Sequence, residues 1–154
     1  MGVTGDILAI ALSIVAVGVS LSALLFSVRT DRVSRLTHTH ETLSAPEIQE
    51  GRRLLWTHYR ASTDWAEVKD RQPEEWAAIN HALAMMDVAA YYDHKGWLPS
   101  GALLELWGDS LKGMRIPVFS FIEFRTLTEP GWERLDPRFL PDLQVAIRDA
   151  AATR

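Results

Sequence analysis

His38, Thr39, His40 and Glu41 bring three potential metal ligands within four residues. On a helix, positions two apart point to different faces, so His38 and His40 converge only on an extended backbone. A metalloprotease needs two histidines four apart with a glutamate between them, and that spacing does not occur. The chain has no cysteine, which removes disulfides, thiolate catalysis and thiolate zinc sites. His58, His81 and His94 stand alone in the sequence. His94 next to Asp93 could respond to pH, but a histidine at a helix end more commonly interacts with the dipole.

Asp87 is the most unusual acid. It alone interrupts the apolar stretch from Ala82 to Tyr92. A buried carboxylate without a partner is neutralised or destabilising. Arg125 follows Phe124 in a comparably apolar segment, so the expected arrangement is a buried Asp87–Arg125 ion pair, with Arg52 or Arg53 as alternatives to Arg125. Glu74 and Glu75 are adjacent, and on a helix they diverge into solvent. No Gly-rich phosphate loop and no Gly-x-Ser-x-Gly elbow occurs. The sequence carries no catalytic signature, no assigned metal site and no cofactor motif.

The elements that would position these residues begin with a membrane segment. Ile7 to Val28 are 22 consecutive positions without a charge. As a helix they extend roughly 33 Å, enough to cross a hydrocarbon core of about 30 Å. Met1 to Asp6 contain no Lys or Arg, and Leu24, Leu25 and Phe26 continue past the small residues, which argues against a cleaved signal peptide. A myristoylation motif fails at Asp6. Thr4 is placed to cap the span, and Asp6 suits its dipole. Arg29, Arg32 and Arg35 follow the span, against one acid, Asp31, and the positive-inside rule puts the C-terminal part in the cytoplasm and the N-terminus outside. Within the span, Ala9, Ser13, Ala16, Ser20, Ala23 and Ser27 form a small-residue stripe with a 4-3-4-3-4 spacing. Such a stripe lets helix backbones approach in lipid and, at a 3.5-residue period, favours a left-handed self-association.

The chain then divides into a tail at 1–6, a transmembrane helix at 7–28, a basic juxtamembrane stalk at 29–43 and a helical domain at 44–154. From Glu41 onward there are 13 Lys and Arg against 18 Asp and Glu. This net negative surface disfavours nucleic acid and anionic lipid as partners of the domain as a whole. Ser44-Ala45-Pro46-Glu47 has capping-box spacing ahead of a helix from about Ala45 to Ala61, in which Gly51 marks a close backbone contact. Asp64 and Glu67 start a short turn before Pro73. Pro73 opens the strongest helix, with Trp76, Ile79, Leu83, Met86 and Ala90 at spacings of three or four and a stop at Gly96. Ser100 is the expected cap of a helix stopping at Gly113, Pro117 the start of another, and Pro141 the start of the last. Ile116 to Phe124 is the best strand candidate, ambiguous because of Pro117 and Glu123. Trp76 and Trp107 are expected in the core, Trp97 as a plug at a helix junction and Trp132 at the surface. The fold class is all-α: one N-terminal transmembrane helix followed by a bundle of about five helices.

The stretch from Ile79-Asn-His-Ala-Leu-Ala-Met-Met-Asp87 through Tyr91, Gly96 and Leu98, then Trp107 and Phe119 to Arg125, resembles the bacterial "domain of unknown function" family numbered 4760. The resemblance covers roughly Pro46 to Leu127 in diffuse helical positions. It implies a membrane-anchored helical fold and no activity, so no catalytic residue is carried over.

The sequence therefore supports a single-pass, cell-membrane protein acting as a non-enzymatic interaction or regulatory module. Its expected partners are the lipid bilayer, a second copy through the span and an unidentified membrane or cytoplasmic protein. The alternative is a membrane-anchored enzyme or a small-ligand or metal sensor using a polar pocket around Asp87 and a histidine.

Overall fold

The computed structural model describes residues 3–128 and 140–152, with side chains from Leu12 onward. Trp132 lies outside these residues, as does the side chain of Ala9. The described chain is all-α, in six helices: α1 (Val3–Ser44), α2 (Pro46–Arg60), α3 (Trp65–Arg71), α4 (Pro73–His94), α5 (Ala102–Thr128) and α6 (Pro141–Ala152).

α1 is a single helix of 42 residues, roughly 63 Å long. Thr4 is helical, so it lies inside α1 rather than at its cap. Side chains are exposed from Leu12 to Arg35. Beyond Arg35, Leu36, Thr39, Thr42 and Leu43 are, at helical spacing, covered by the bundle, and Thr39 and Leu43 are buried. The segment read as a stalk thus ends inside the core.

Pro46 ends α1. The residue before a proline is driven to extended backbone, and Ala45 sits at φ −59°, ψ 141°. Ser44 closes α1, and no side chain caps α2, so the expected Ser44–Glu47 box does not form. Instead Gln49 Nε2 donates to Leu43 O at 2.7 Å, satisfying a carbonyl at the end of α1.

α4 is the hub. Ile79, Ala82, Leu83, Met86, Ala89 and Ala90 are buried on it, and α1, α2, α3, α5 and α6 all contact it. α2 lies tightest against it. A Cβ added to Gly51 would overlap the Ala78 carbonyl oxygen and stand 2.6 Å from the Ala82 Cβ, so only glycine permits this approach. α3 is capped by Asp64, which accepts from Ala66 N at 2.9 Å. It seats Trp65 edge-on against Phe121, with ring centroids 5.3 Å apart.

α4 stops at Gly96, as expected. Gly96 takes φ +67°, its N–H reaches Asp93 O and the Trp97 N–H reaches Tyr92 O, the paired bonds of a Schellman ending. The plug beyond it is Leu98, 1 % exposed, rather than Trp97, 42 % exposed. Trp76 and Trp107 lie partly buried against the core.

α5 differs from expectation. It is one helix of 27 residues with Pro117 inside it, instead of two helices divided between Gly113 and Pro117. An internal proline costs about 3 kcal/mol and leaves the carbonyl four residues back without its donor. That residue is Gly113, which is exposed, so water can take its carbonyl. Leu111, Met114, Pro117, Val118, Phe121 and Arg125 form one buried stripe across the junction, and burying it outweighs the local penalty. The ambiguous Ile116–Phe124 segment is therefore helix, and no strand occurs among the described residues.

Candidate functional site

The polar groups with chemical potential fall in two places: the face of α4, and the corner where α1 meets the bundle.

On α4, Asp87 does not meet Arg125. Its Oδ1 accepts the N–H of Leu143 at 2.9 Å, and the Asp142 amide also donates to it, so it caps the first turn of α6 from a neighbouring helix. Burial, the largest influence, raises its pKa above the ordinary carboxylate value; the Leu143 amide works in the opposite direction, and nearby Asp142 adds to the rise. Asp93 repeats the arrangement one and a half turns on. It accepts the Leu103 N–H at the start of α5, where Ser100 was the expected cap, and burial raises its pKa too. α4 thus uses two carboxylates to hold the N-termini of two other helices.

Arg125 is buried and is held on α4 by Asn80, whose Oδ1 accepts from Nη1. Its guanidinium lies 5.2 Å from the Trp76 ring centroid, a cation–π contact. Arg52 donates to Ser110 Oγ and lies 5.3 Å over Trp107, joining α2 to α5. Arg53 pairs with exposed Glu50 on its own helix.

His58, 7 % exposed, meets Glu75 with Nε2 and Oε2 2.6 Å apart, and its ring lies against Trp65. In the sequence His58 stands alone and Glu75 is expected in solvent. The signal was present in the helical spacing, because His58 continues the buried face Ile48, Gly51, Leu54 and Leu55. The pair ties α2 to the first turn of α4.

At the α1 corner, helical backbone separates His38 from His40. His40 rests on Trp107, 5.7 Å away, while His38 lines a cavity of about 60 Å³ with Thr39, Thr42, Met85, Val88 and Tyr92. The buried Thr39 Oγ1 makes no hydrogen bond. The cavity suits one or two waters and is far smaller than the roughly 300 Å³ at which small-molecule sites begin. No cluster of three or more metal-ligating side chains occurs among the described residues.

Above this corner, α1 is long and apolar enough to cross a membrane, and none of its most apolar stretch is buried. A membrane anchor and a signal sequence both fit that description. Ser13, Ala16, Ser20, Ala23 and Ser27 are exposed along it. Ser20 Oγ donates to Ala16 O at 2.8 Å, and Ser22 Oγ to Gly18 O at 2.9 Å, so these hydroxyls are satisfied within the helix. Arg35 pairs with Asp31 at 2.9 Å. Arg29 and Arg32 have no carboxylate partner among the described residues.

No protein-family model, no curated protein and no solved structure matches the chain.

Proposed function

We propose that this chain is a single-pass membrane protein whose helical bundle, on the cytoplasmic side, works as a non-enzymatic interaction or regulatory module. One observation carries the reading. α1 runs without a break from exposed apolar side chains, Leu25 and Phe26 being 71 % and 73 % exposed, into core positions Thr39 and Leu43. Apolar exposure on that scale is unfavourable in water and ordinary in lipid. Leu24, Leu25 and Phe26 carry the apolar run past its small residues, which favours an anchor over a cleaved signal. Anchoring concentrates the bundle against membrane partners.

The module reading is favoured over an enzyme or sensor because the groups proposed for a pocket are already engaged. Asp87 holds α6, and His58 and Glu75 hold each other. Self-association through Ala9, Ser13, Ala16, Ser20, Ala23 and Ser27 belongs to the same proposal. With Ser20 bonded to its own backbone, packing rather than interhelical hydrogen bonding would drive it. The resemblance of the sequence to the family numbered 4760 would fit this reading and adds no activity to it.

Topology tests the proposal, and the lack of native cysteine makes the test clean. Asp70→Cys in the full chain is expected to resist a membrane-impermeant maleimide in intact cells and to react after permeabilisation. Labelling in intact cells would place the bundle on the opposite side.

A further inference from the structure

The loop between α4 and α5 reaches back along α1 to the level where its apolar surface ends. Pro99 and Ser100 line an open cleft together with Leu25, Val28, Arg29, Arg32 and Val33. Val28 is the last residue of the uncharged run and Arg29 the first of the basic one. One side of the cleft is therefore hydrocarbon-like and the other cationic. Buried Leu98 pins the loop to the core, while its neighbour Trp97 stays exposed.

Trp97 is the centre of an aromatic cluster. Its ring lies 5.7 Å from Tyr91 and 5.5 Å from Tyr92. Arg35 sits 5.4 Å over Trp97, and Lys95 Nζ lies 5.4 Å over Tyr91. Trp and Tyr with flanking Lys and Arg make up the composition that settles at the head-group layer of a bilayer. In sequence Trp97 is 69 positions past Val28, which hides this relation; the fold brings it back. The bundle is net acidic overall, so this basic, aromatic rim stands apart from the rest of its surface.

We infer that the Lys95–Gly101 loop and the Arg29–Arg32 face of α1 together form a seat for phospholipid head groups, with Arg29 and Arg32 taking the phosphate and Trp97 lying in the interface. The inference rests on the anchor reading above. The Arg29 and Arg32 guanidinium groups, without a protein carboxylate, are left for the phosphate that lies at their depth. The bundle is then held at two points, α1 and the loop, which fixes its tilt against the membrane instead of leaving it swinging on one helix.

Three single cysteines in the full chain, each carrying a fluorophore, test the seat in vesicles of phosphatidylcholine with phosphatidylglycerol. Leu21→Cys reports on the span. Ser100→Cys reports on the seat. Asp70→Cys lies on α3, next to the opposite end of α4 and roughly 30 Å away. The expected result is quenching of the Leu21 probe by an acyl-chain nitroxide, and several-fold stronger quenching of the Ser100 probe than of the Asp70 probe by a head-group nitroxide. Arg29→Gln with Arg32→Gln should reduce the Ser100 quenching. A quenched Leu21 probe with Ser100 no closer to lipid than Asp70 overturns the seat while leaving the anchor intact. An unquenched Leu21 probe overturns the anchor and the seat with it. Ser100 quenching unchanged by the arginine substitutions overturns the assignment of the phosphate to them.

Discussion

The two halves of α1 and the bundle it enters use the same Leu, Ile, Val and Ala for opposite ends. Between Leu12 and Val28 these side chains are exposed around the whole helix. On α4 the buried side chains, Ile79, Ala82, Leu83, Met86, Ala89 and Ala90, share one face, while Ala77, Ala84 and Val88 are exposed on the other. A helix apolar all round needs an apolar solvent, whereas one with an apolar stripe needs a partner helix in water. Packing within the chain should therefore matter in the bundle and matter little between Leu12 and Val28.

The largest contrast is expected from Phe121→Ala, which empties the centre of the bundle where Trp65 and Trp76 stack. It should cost the bundle about 3–5 kcal/mol and leave membrane retention unchanged. Trp fluorescence of the full chain in detergent measures this selectively, because none of the six Trp lies in the span.

Two glycines sharpen the same comparison. Gly51→Ala should destabilise the bundle by about 1–3 kcal/mol through overlap with Ala78 and Ala82. Gly18→Ala, with nothing within 4 Å of an added Cβ, should not shift urea unfolding of the bundle. Equal effects at the two sites would remove the distinction between the regions.

Asp87 separates a cap from an ion pair. Asp87→Ala should cost about 1–2 kcal/mol by orphaning amides at the start of α6. Asp87→Asn keeps an acceptor and should cost a fraction of that, whereas breaking a buried ion pair would cost about 3–5 kcal/mol. Thermal unfolding of the two variants decides between them.

The smallest effect is with pH. The folded-state pKa of Asp87 is raised, so the unfolded chain gives up this proton more readily than the folded one. Its contribution to stability is greatest below the unfolded value and falls as pH rises through the raised folded value. Asp87→Asn should accordingly gain on the wild type as pH climbs through the carboxylate range; a series of urea midpoints across that range checks this, and a trend of the opposite sign would overturn it.

Much of this architecture is legible in the sequence where the determinant is local. The uncharged run of α1, the periodicity and Pro73 start of α4 and its Gly96 stop are all carried by residues near one another in the chain. Elsewhere distant residues decide. α5 continues through Pro117 because a stripe from Leu111 to Arg125 is buried against other helices, which no local propensity reveals. Asp87 is partnered by backbone amides of α6, and an amide donor leaves no mark on composition. A buried carboxylate calls for a cation, and the apolar setting of Arg125 points to it, but Asn80 and Trp76 hold Arg125. The nearness of Trp97 to Arg35 likewise exists only once α4 has packed against α1.

The central claim is that lipid is the solvent of the first half of α1. Sedimentation of membranes after washing in high salt and alkaline carbonate tests it most directly. The full chain should remain in the pellet and leave it only on addition of detergent; its recovery in the aqueous supernatant without detergent would contradict the account.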